Sequence, residues 1–342
     1  MTPSKDSPPP NDTGSPGLVA PQAQPNLWTV QYVDNKGRGV IASQNIKAGT
    51  LLISEPPLLT TDVITSVENT ETDLAIHLRT LPAEKQRAFL SLHNNFPGQG
   101  NPLTSIIRSN GYPLGADAGC GGVFENISRI NHGCLPNAVQ NWNGLLGEEG
   151  EETVYAIKDI KEGEEITTSY LSGGTSKERR AVLKQSFGFD CTCKLCDSDE
   201  ADLKASDERL SRIQELHIDI GDSETVRHDP EKALGYCKEL LEILEVEGIK
   251  DDRVSRAYYD AFQVTAMHSD AARAAWWAKK FCEAKVISAG KSCIDRLDMK
   301  PFTKRPQKHD CFGAFSVNWK TKLEELPKER AGEEFEKWLW RE

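Results

Sequence analysis

The stretch SRINHGCLPNAVQNW, residues 128–142, places Asn131, His132, Cys134 and Asn137 within seven positions around one proline, beside the apolar Ile130 and Leu135. Polar and metal-capable side chains at that density suit half of a metal site, a His/Cys catalytic pair or a well-bonded turn. What the rest of the chain supplies decides between them.

A second stretch bears on the choice. FGFDCTCKLC, residues 187–196, carries Cys191, Cys193 and Cys196 in a C-x-C-x-x-C run. Nine cysteines, an odd number, in a 342-residue chain whose first residues lack an apolar leader point to a reducing compartment. Three thiols in six residues of a reduced protein are poorly explained by packing, whereas thiolates suit tetrahedral Zn²⁺, which takes four ligands. Cys237, Cys282 and Cys293 lie on helical stripes and Cys120 sits among glycines, so these read as packing residues. Cys134 lies in a polar turn and is the best candidate for the fourth ligand, with a water or a histidine as the alternatives. A site of four thiolates would be closed and structural, with no open position for hydrolysis. The H-x-E with P-C-x-x-C pattern of zinc deaminases is absent.

Composition bounds the function further. With 38% hydrophobic and 27% charged residues the chain reads as globular, and a net charge of −11 argues against direct nucleic-acid binding through phosphates. No stretch has the roughly 18 apolar residues of a membrane-spanning helix, so no membrane role is expected. Seven of the 18 prolines fall in residues 1–26, read as a disordered tail. LWTVQYV alternates Trp28, Val30 and Tyr32 against polar neighbours as a half-buried strand does. Glycine turns at 37–39, 47–49 and 162–163 punctuate a β-rich region, interrupted at about 61–110 by helical spacing. From about residue 199 the pattern is helical. Asp229, Pro230 and Gly248 bracket one helix as N-cap, first residue and stop. ALGYCKELLE (233–242) and AAWWAKKFCE (274–283) echo each other at an offset of 41, which suggests TPR-like stacked pairs. The closing FEKWLW is expected to dock through its aromatic side chains.

Together KGRGVIA (36–42), IKAGTLLISEPPLL (46–59), SRINHGCLPNA (128–138), IKEGEEITTSY (160–170) and FGFDCTCKLC, in that order, resemble the SET-domain protein lysine methyltransferases, specifically the SMYD-like branch. The resemblance spans roughly residues 28–198. It implies an α+β protein: a disordered tail over 1–26, a SET domain over 27–185 with its helical insert, a zinc-bound post-SET segment over 186–198, and an all-α TPR-like region over 199–342. It implies S-adenosyl-L-methionine as cofactor, a structural Zn²⁺ on Cys134, Cys191, Cys193 and Cys196, and methyl transfer to a lysine of a protein substrate, histone or non-histone. The alternative is a SET/TPR-like scaffold with little turnover that binds partner proteins.

Residue by residue, Lys36, Gly37, Arg38 and Gly39 resemble the turn that cradles the cofactor. Asn131 and His132 resemble the cofactor-bonding pair, Asn110 an asparagine near its amino-acid end, and Phe189 the aromatic that stacks on adenine. Tyr170 resembles the tyrosine at the methyl-transfer channel. The chemistry suits these types: a lysine of pKa about 10.4 must lose a proton before attack, and desolvation beside a sulfonium lowers it. Three departures stand out. Gly133 replaces the family serine, Phe187 stands where a second channel tyrosine is usual, and no cysteine precedes Cys120, so the insert cannot hold the MYND zinc module. A phenyl ring at 187 lacks the hydroxyl that would hold a water, leaving room for more than one methylation. The expected protein is a monomer in the nucleus, the cytoplasm or both.

Overall fold

The computed structural model describes residues 26–115, 119–144 and 150–342. The proline-rich tail up to residue 25, and residues 147–149 of the acidic GEEGEE run, lie outside them. Among the described residues the strands are β1 (Trp28–Val33), β2 (Gly37–Ala42), β3 (Leu51–Glu55), β4 (Leu59–Thr60), β5 (Gly111–Pro113), β6 (Gly121–Val123), β7 (Asn131–His132), β8 (Ala138–Asn143), β9 (Glu151–Ala156) and β10 (Glu165–Thr168). The helices are α1 (Thr70–Thr80), α2 (Ala83–Leu90), α3 (Pro102–Asn110), α4 (Ser176–Val182), α5 (Glu200–Gly221), α6 (Ser223–His228), α7 (Pro230–Glu247), α8 (Asp252–Met267), α9 (Ala271–Arg296) and α10 (Glu333–Trp340).

Three small sheets make the first half, ordered β1-β2-β10-β7, β3-β9-β8 and β4-β6-β5. β1 and β2 form a hairpin that turns at Asn35, in the left-handed region at φ 61°, and the Lys36 N–H closes it on the Val33 carbonyl at 3.0 Å. β10 lies between β2, antiparallel, and β7, parallel, with Thr168 opposite His132. This pairing carries Asn131 and His132 to one edge of a sheet whose other edge is β1, where the hairpin turn brings Lys36. Val40, Phe124, Ile127, Ile130, Val154 and Ile166 form the core beneath. The helical insert is α1, α2 and α3, which bury Leu78, Phe89 and Ile106 against Val123.

One expectation fails in β1. Trp28 and Val30 are half-buried, but Tyr32 is 75% exposed. The alternation breaks because β1 runs beyond its core there, and Tyr32 stands on the rim of a cleft.

The second half is helical. Asp229 caps α7 by accepting from the Lys232 N–H, and Gly248 ends it in the left-handed conformation. Ala233, Cys237, Leu240 and Leu244 are buried on its inner stripe, with Leu241 only partly covered. α8 packs between α7 and α9 around Phe262 and Trp277. The 41-residue echo falls in α7 and α9, but among the described residues no further α-helix pairs with α9 as α8 does with α7, and a single such echo does not establish a TPR-like array. Phe335 and Trp340 of α10 are buried against Trp276 and Trp277, as the FEKWLW reading expects.

The halves are bonded together. Asn141 Nδ2 donates to the Ser288 carbonyl at 2.8 Å, and the Ser176 N–H and hydroxyl both donate to Asp207 at 2.6 and 2.5 Å. α9 kinks at Gly290, φ 76°, where Tyr155 fills the space a side chain would need. Only glycine adopts that backbone without strain. No helix among the described residues is long and apolar enough to cross a membrane.

Candidate functional site

A cleft of about 670 Å³ opens between the glycine turn, the end of the insert and the segment after α4. Lys36, Gly37, Arg38, Asn110, Asn131, His132, Tyr170 and Phe189 all line it. Gly39 does not. A Cβ there would meet Asn131 Nδ2 at 2.8 Å and Glu165 Oε1 at 2.9 Å, so the glycine makes room for the bond between those two.

That bond organises the near wall. Asn131 Nδ2 donates to Glu165 Oε1 at 2.9 Å, and Lys36 Nζ lies 2.6 Å from Glu165 Oε2. One carboxylate thus fixes a side chain of the turn and one of β7. On the far wall Asn110 donates to the carbonyls of His93 and Ile106 at 2.6 and 2.7 Å. Its amide N–H groups are therefore engaged by backbone, and only Oδ1 is left to serve a ligand.

His132 is 4% exposed and lines the cleft, and both its ring nitrogens have protein partners. Nδ1 accepts from the Tyr170 N–H at 3.0 Å, and Nε2 lies 3.3 Å from Cys134 Sγ. Burial above all lowers its pKa to about 4; Arg179 and Lys36 add to this against an opposing pull from Cys193. A neutral ring whose Nδ1 accepts carries its proton on Nε2, so the N–H points at the Cys134 sulfur.

Tyr170 donates its hydroxyl hydrogen to the Ile130 carbonyl at 2.7 Å. Burial, with the Glu165 charge in support, drives the phenol's pKa well above its usual value. Its ring centroid lies 5.1 Å from that of Phe187 and 6.3 Å from that of Phe189. Phe187 ends a wide π turn over Leu183–Phe187 and lines a second cavity of about 650 Å³ with Thr61, Tyr112 and Cys120. Phe189 faces the first cleft. The Tyr170–Phe187 pair therefore separates the two cavities.

Behind Phe189 the sulfurs of Cys134, Cys191, Cys193 and Cys196 all lie within 4.8 Å of one another, with Cys134 3.6 Å from Cys196 and 4.0 Å from Cys191. Tetrahedral Zn–S bonds of about 2.3 Å require sulfurs about 3.8 Å apart. The donor set and its spacing fit zinc. Hydrogen bonding within the cluster lowers the Cys193 and Cys196 thiols and raises those of Cys134 and Cys191, so the four sulfurs act on one another as a single group.

Residues 37–171 match the SET domain family model. The histone-lysine N-methyltransferase set5 of Schizosaccharomyces pombe is 32% identical over 285 residues, covering 83% of this chain and 85% of that protein. The chain belongs to the SET-domain lysine methyltransferases. Human N-lysine methyltransferase SMYD2 is 26% identical over 183 residues, which cover 51% of this chain but only 41% of SMYD2. The solved Neurospora SET-domain protein DIM-5, a histone lysine methyltransferase, overlaps 44% of this chain and 54% of its own at 22% identity and a TM-score of 0.24, too slight a likeness to add to the sequence match.

Within this SET-domain methyltransferase, sequence reasoning passed over Glu165, whose two bonds are long-range, and Arg129. Arg129 lines the cleft and faces Arg38; burial first, then Arg38, lowers its pKa. Its signal was only its place three residues before His132. Two guanidiniums sharing one cleft fit a ligand carboxylate. Together with the exposed face of Phe189, they fit a molecule with an amino-acid head and an aromatic base.

Proposed function

We propose that the 670 Å³ cleft holds S-adenosylmethionine and that the cavity beyond Phe187 admits a lysine side chain of a protein substrate. When bound, the cofactor supplies an electrophilic methyl on a sulfonium. The observation that carries this reading is Tyr170, which stands between the two cavities with its hydroxyl hydrogen committed to Ile130.

A neutral phenol bonded in that way can only accept from an incoming amine. It therefore orients the amine's lone pair away from itself, towards the cofactor side, and restricts the approach to one line; such positioning supplies much of a displacement's rate. Phe187 and the buried phenol make the passage apolar, which disfavours a charged ammonium and favours the free amine that must attack. Arg38 and Arg129 would hold the carboxylate of the cofactor, Phe189 its base, and Asn131, fixed by Glu165, its polar head. Zn²⁺ on Cys134, Cys191, Cys193 and Cys196 would hold Phe189 in place without taking part in the chemistry. The relatives' names include both histone and general lysine methylation, and the substrate here is proposed no further than a protein lysine.

The test is transfer of a labelled methyl group to a panel of protein substrates by wild type and Tyr170→Phe. Transfer by wild type that falls at least tenfold in the variant, with cofactor binding kept, supports the reading. A wild type that binds the cofactor but labels nothing in the panel favours the scaffold reading instead.

A further inference from the structure

Helix α4 carries the sequence SKERRAV, and a charged pair in a short helix reads as a solvated face. Arg179 contradicts that: it is 3% exposed. Arginine is rarely so deep unless a charge partner accompanies it. Nη1 donates to the Gly174 carbonyl at 2.5 Å, but Nε and Nη2 are buried and no oxygen among the described residues accepts from them. Asp207 does not answer for them. It stands 3.9 Å from Nη1, and both its oxygens accept from Ser176. The side chain within hydrogen-bonding reach of the guanidinium is Cys134, with Cys196 next to it. The neighbouring Arg180 reaches the same place by another route, its Nη2 donating to the Cys196 carbonyl at 2.9 Å.

Buried donors without partners need a reason, and an ion's ligands are one. Four thiolates around Zn²⁺ carry a net charge of −2, in surroundings closed by Leu183 and Leu195. A dianion there needs a cation, and N–H groups directed at sulfur spread its charge. We propose that Arg179 is the counter-ion of the four-cysteine metal site and that helix α4 is the element that holds it there. The proposal rests on the zinc reading. Because the same guanidinium bonds Gly174, four residues after Tyr170, the metal and the segment leaving the catalytic tyrosine are held by one side chain. Arg179 is a positioning residue in this account: it touches neither cofactor nor substrate.

The experiment uses the full-length, zinc-loaded chain, with zinc withdrawn by a chromogenic chelator in competition. Arg179→Met should bind zinc 10- to 100-fold more weakly than wild type, the range for loss of an outer-shell partner. Arg179→Lys, which keeps the charge, should stay within about threefold. Thermal unfolding separates this from a plain structural role. With metal removed, Arg179→Met loses only the bond to Gly174 while freeing two unpaired donors, so it should lower the melting temperature much less than it does with metal bound. Unchanged zinc affinity in Arg179→Met overturns the proposal, and so does an equal loss of melting temperature with and without metal. If Arg179→Met does not fold, a tenfold or greater affinity loss in Arg179→Lys overturns it, and affinity within threefold supports it. A wild type that retains no zinc overturns the metal reading itself.

Discussion

His132 Nδ1 accepts the backbone N–H of Tyr170 at 3.0 Å while the other nitrogen of the same ring lies 3.3 Å from the sulfur of Cys134. A single neutral imidazole therefore joins Tyr170, proposed to stand at the transfer channel, to the four-cysteine cluster. Both its polar atoms have protein partners, so its part in the cleft is that of a ring surface and a brace. Replacing it with alanine leaves the Tyr170 N–H without an acceptor, at a cost of about 1–3 kcal/mol. His132→Ala should lower the melting temperature, weaken zinc retention tenfold or more, and reduce methyl transfer. Zinc competition and calorimetry on one sample check this. Intact zinc affinity would contradict the bracing role.

Phe187 separates the two cavities beside Tyr170. Phe187→Tyr adds a hydroxyl at the passage, and with it a place for a water. Mass spectrometry of product peptides should show wild type giving di- or trimethyl-lysine and the variant shifted towards monomethyl-lysine. Only monomethyl product from wild type would contradict this.

Glu152 on β9 is 2% exposed and its Oε2 has no hydrogen-bond partner among the described residues. Burial raises its pKa from 4.5 to about 8. The folded state therefore holds this proton more tightly than the unfolded chain does. Its favourable contribution is complete below about pH 4.5 and is lost as pH rises through 8. Wild type should lose stability between pH 5 and pH 9, by at most roughly 5 kcal/mol from this group. Glu152→Gln should melt higher than wild type at pH 9 and differ little at pH 5. Parallel melting curves across that range would show that the carboxyl stays ionised.

Gly133 departs from the family's serine, and Thr167 accounts for it. A Cβ at 133 would lie 2.8 Å from Thr167 Oγ1 and 3.1 Å from its Cβ. Gly133→Ser should destabilise the protein by about 1–3 kcal/mol through overpacking. Adding Thr167→Ala should restore part of that loss, and equilibrium unfolding of the two single variants and the double variant gives the coupling. Strict additivity would mean the two positions do not compete for space.

What was legible in the sequence was local. The C-x-C-x-x-C run, the caps of α7 and the glycine turns at 47–49 and 162–163 each depend on neighbours a few residues away, and the structure has them where the spacing puts them; the first turn instead falls at Asn35, with Gly37 and Gly39 opening β2. The fourth cysteine was found because its polar turn set it apart from cysteines on apolar stripes. Long-range polar partners were hidden. Nothing near Glu165 announces that it will bond Lys36 and Asn131, 129 and 34 residues distant. The engagement of Asn110 depends on a carbonyl from His93, and nothing in SKERRAV shows that Arg179 is buried. Tyr32 misled because alternation reports a strand but not where the core beneath it ends. The resemblance in four motifs, the first running from KGRGVIA through IKAGTLLISEPPLL, named the family, and the likeness to set5 over most of both chains establishes it.

The four-cysteine site is proposed to shape the cofactor cleft through Phe189 and His132. The direct measurement is calorimetric titration of S-adenosylmethionine into zinc-loaded and chelator-stripped protein, with Tyr170→Phe and Cys134→Ser alongside. The account predicts binding by loaded wild type and by Tyr170→Phe, and binding weakened at least tenfold in stripped protein and in Cys134→Ser. Equal affinity with and without zinc would contradict it.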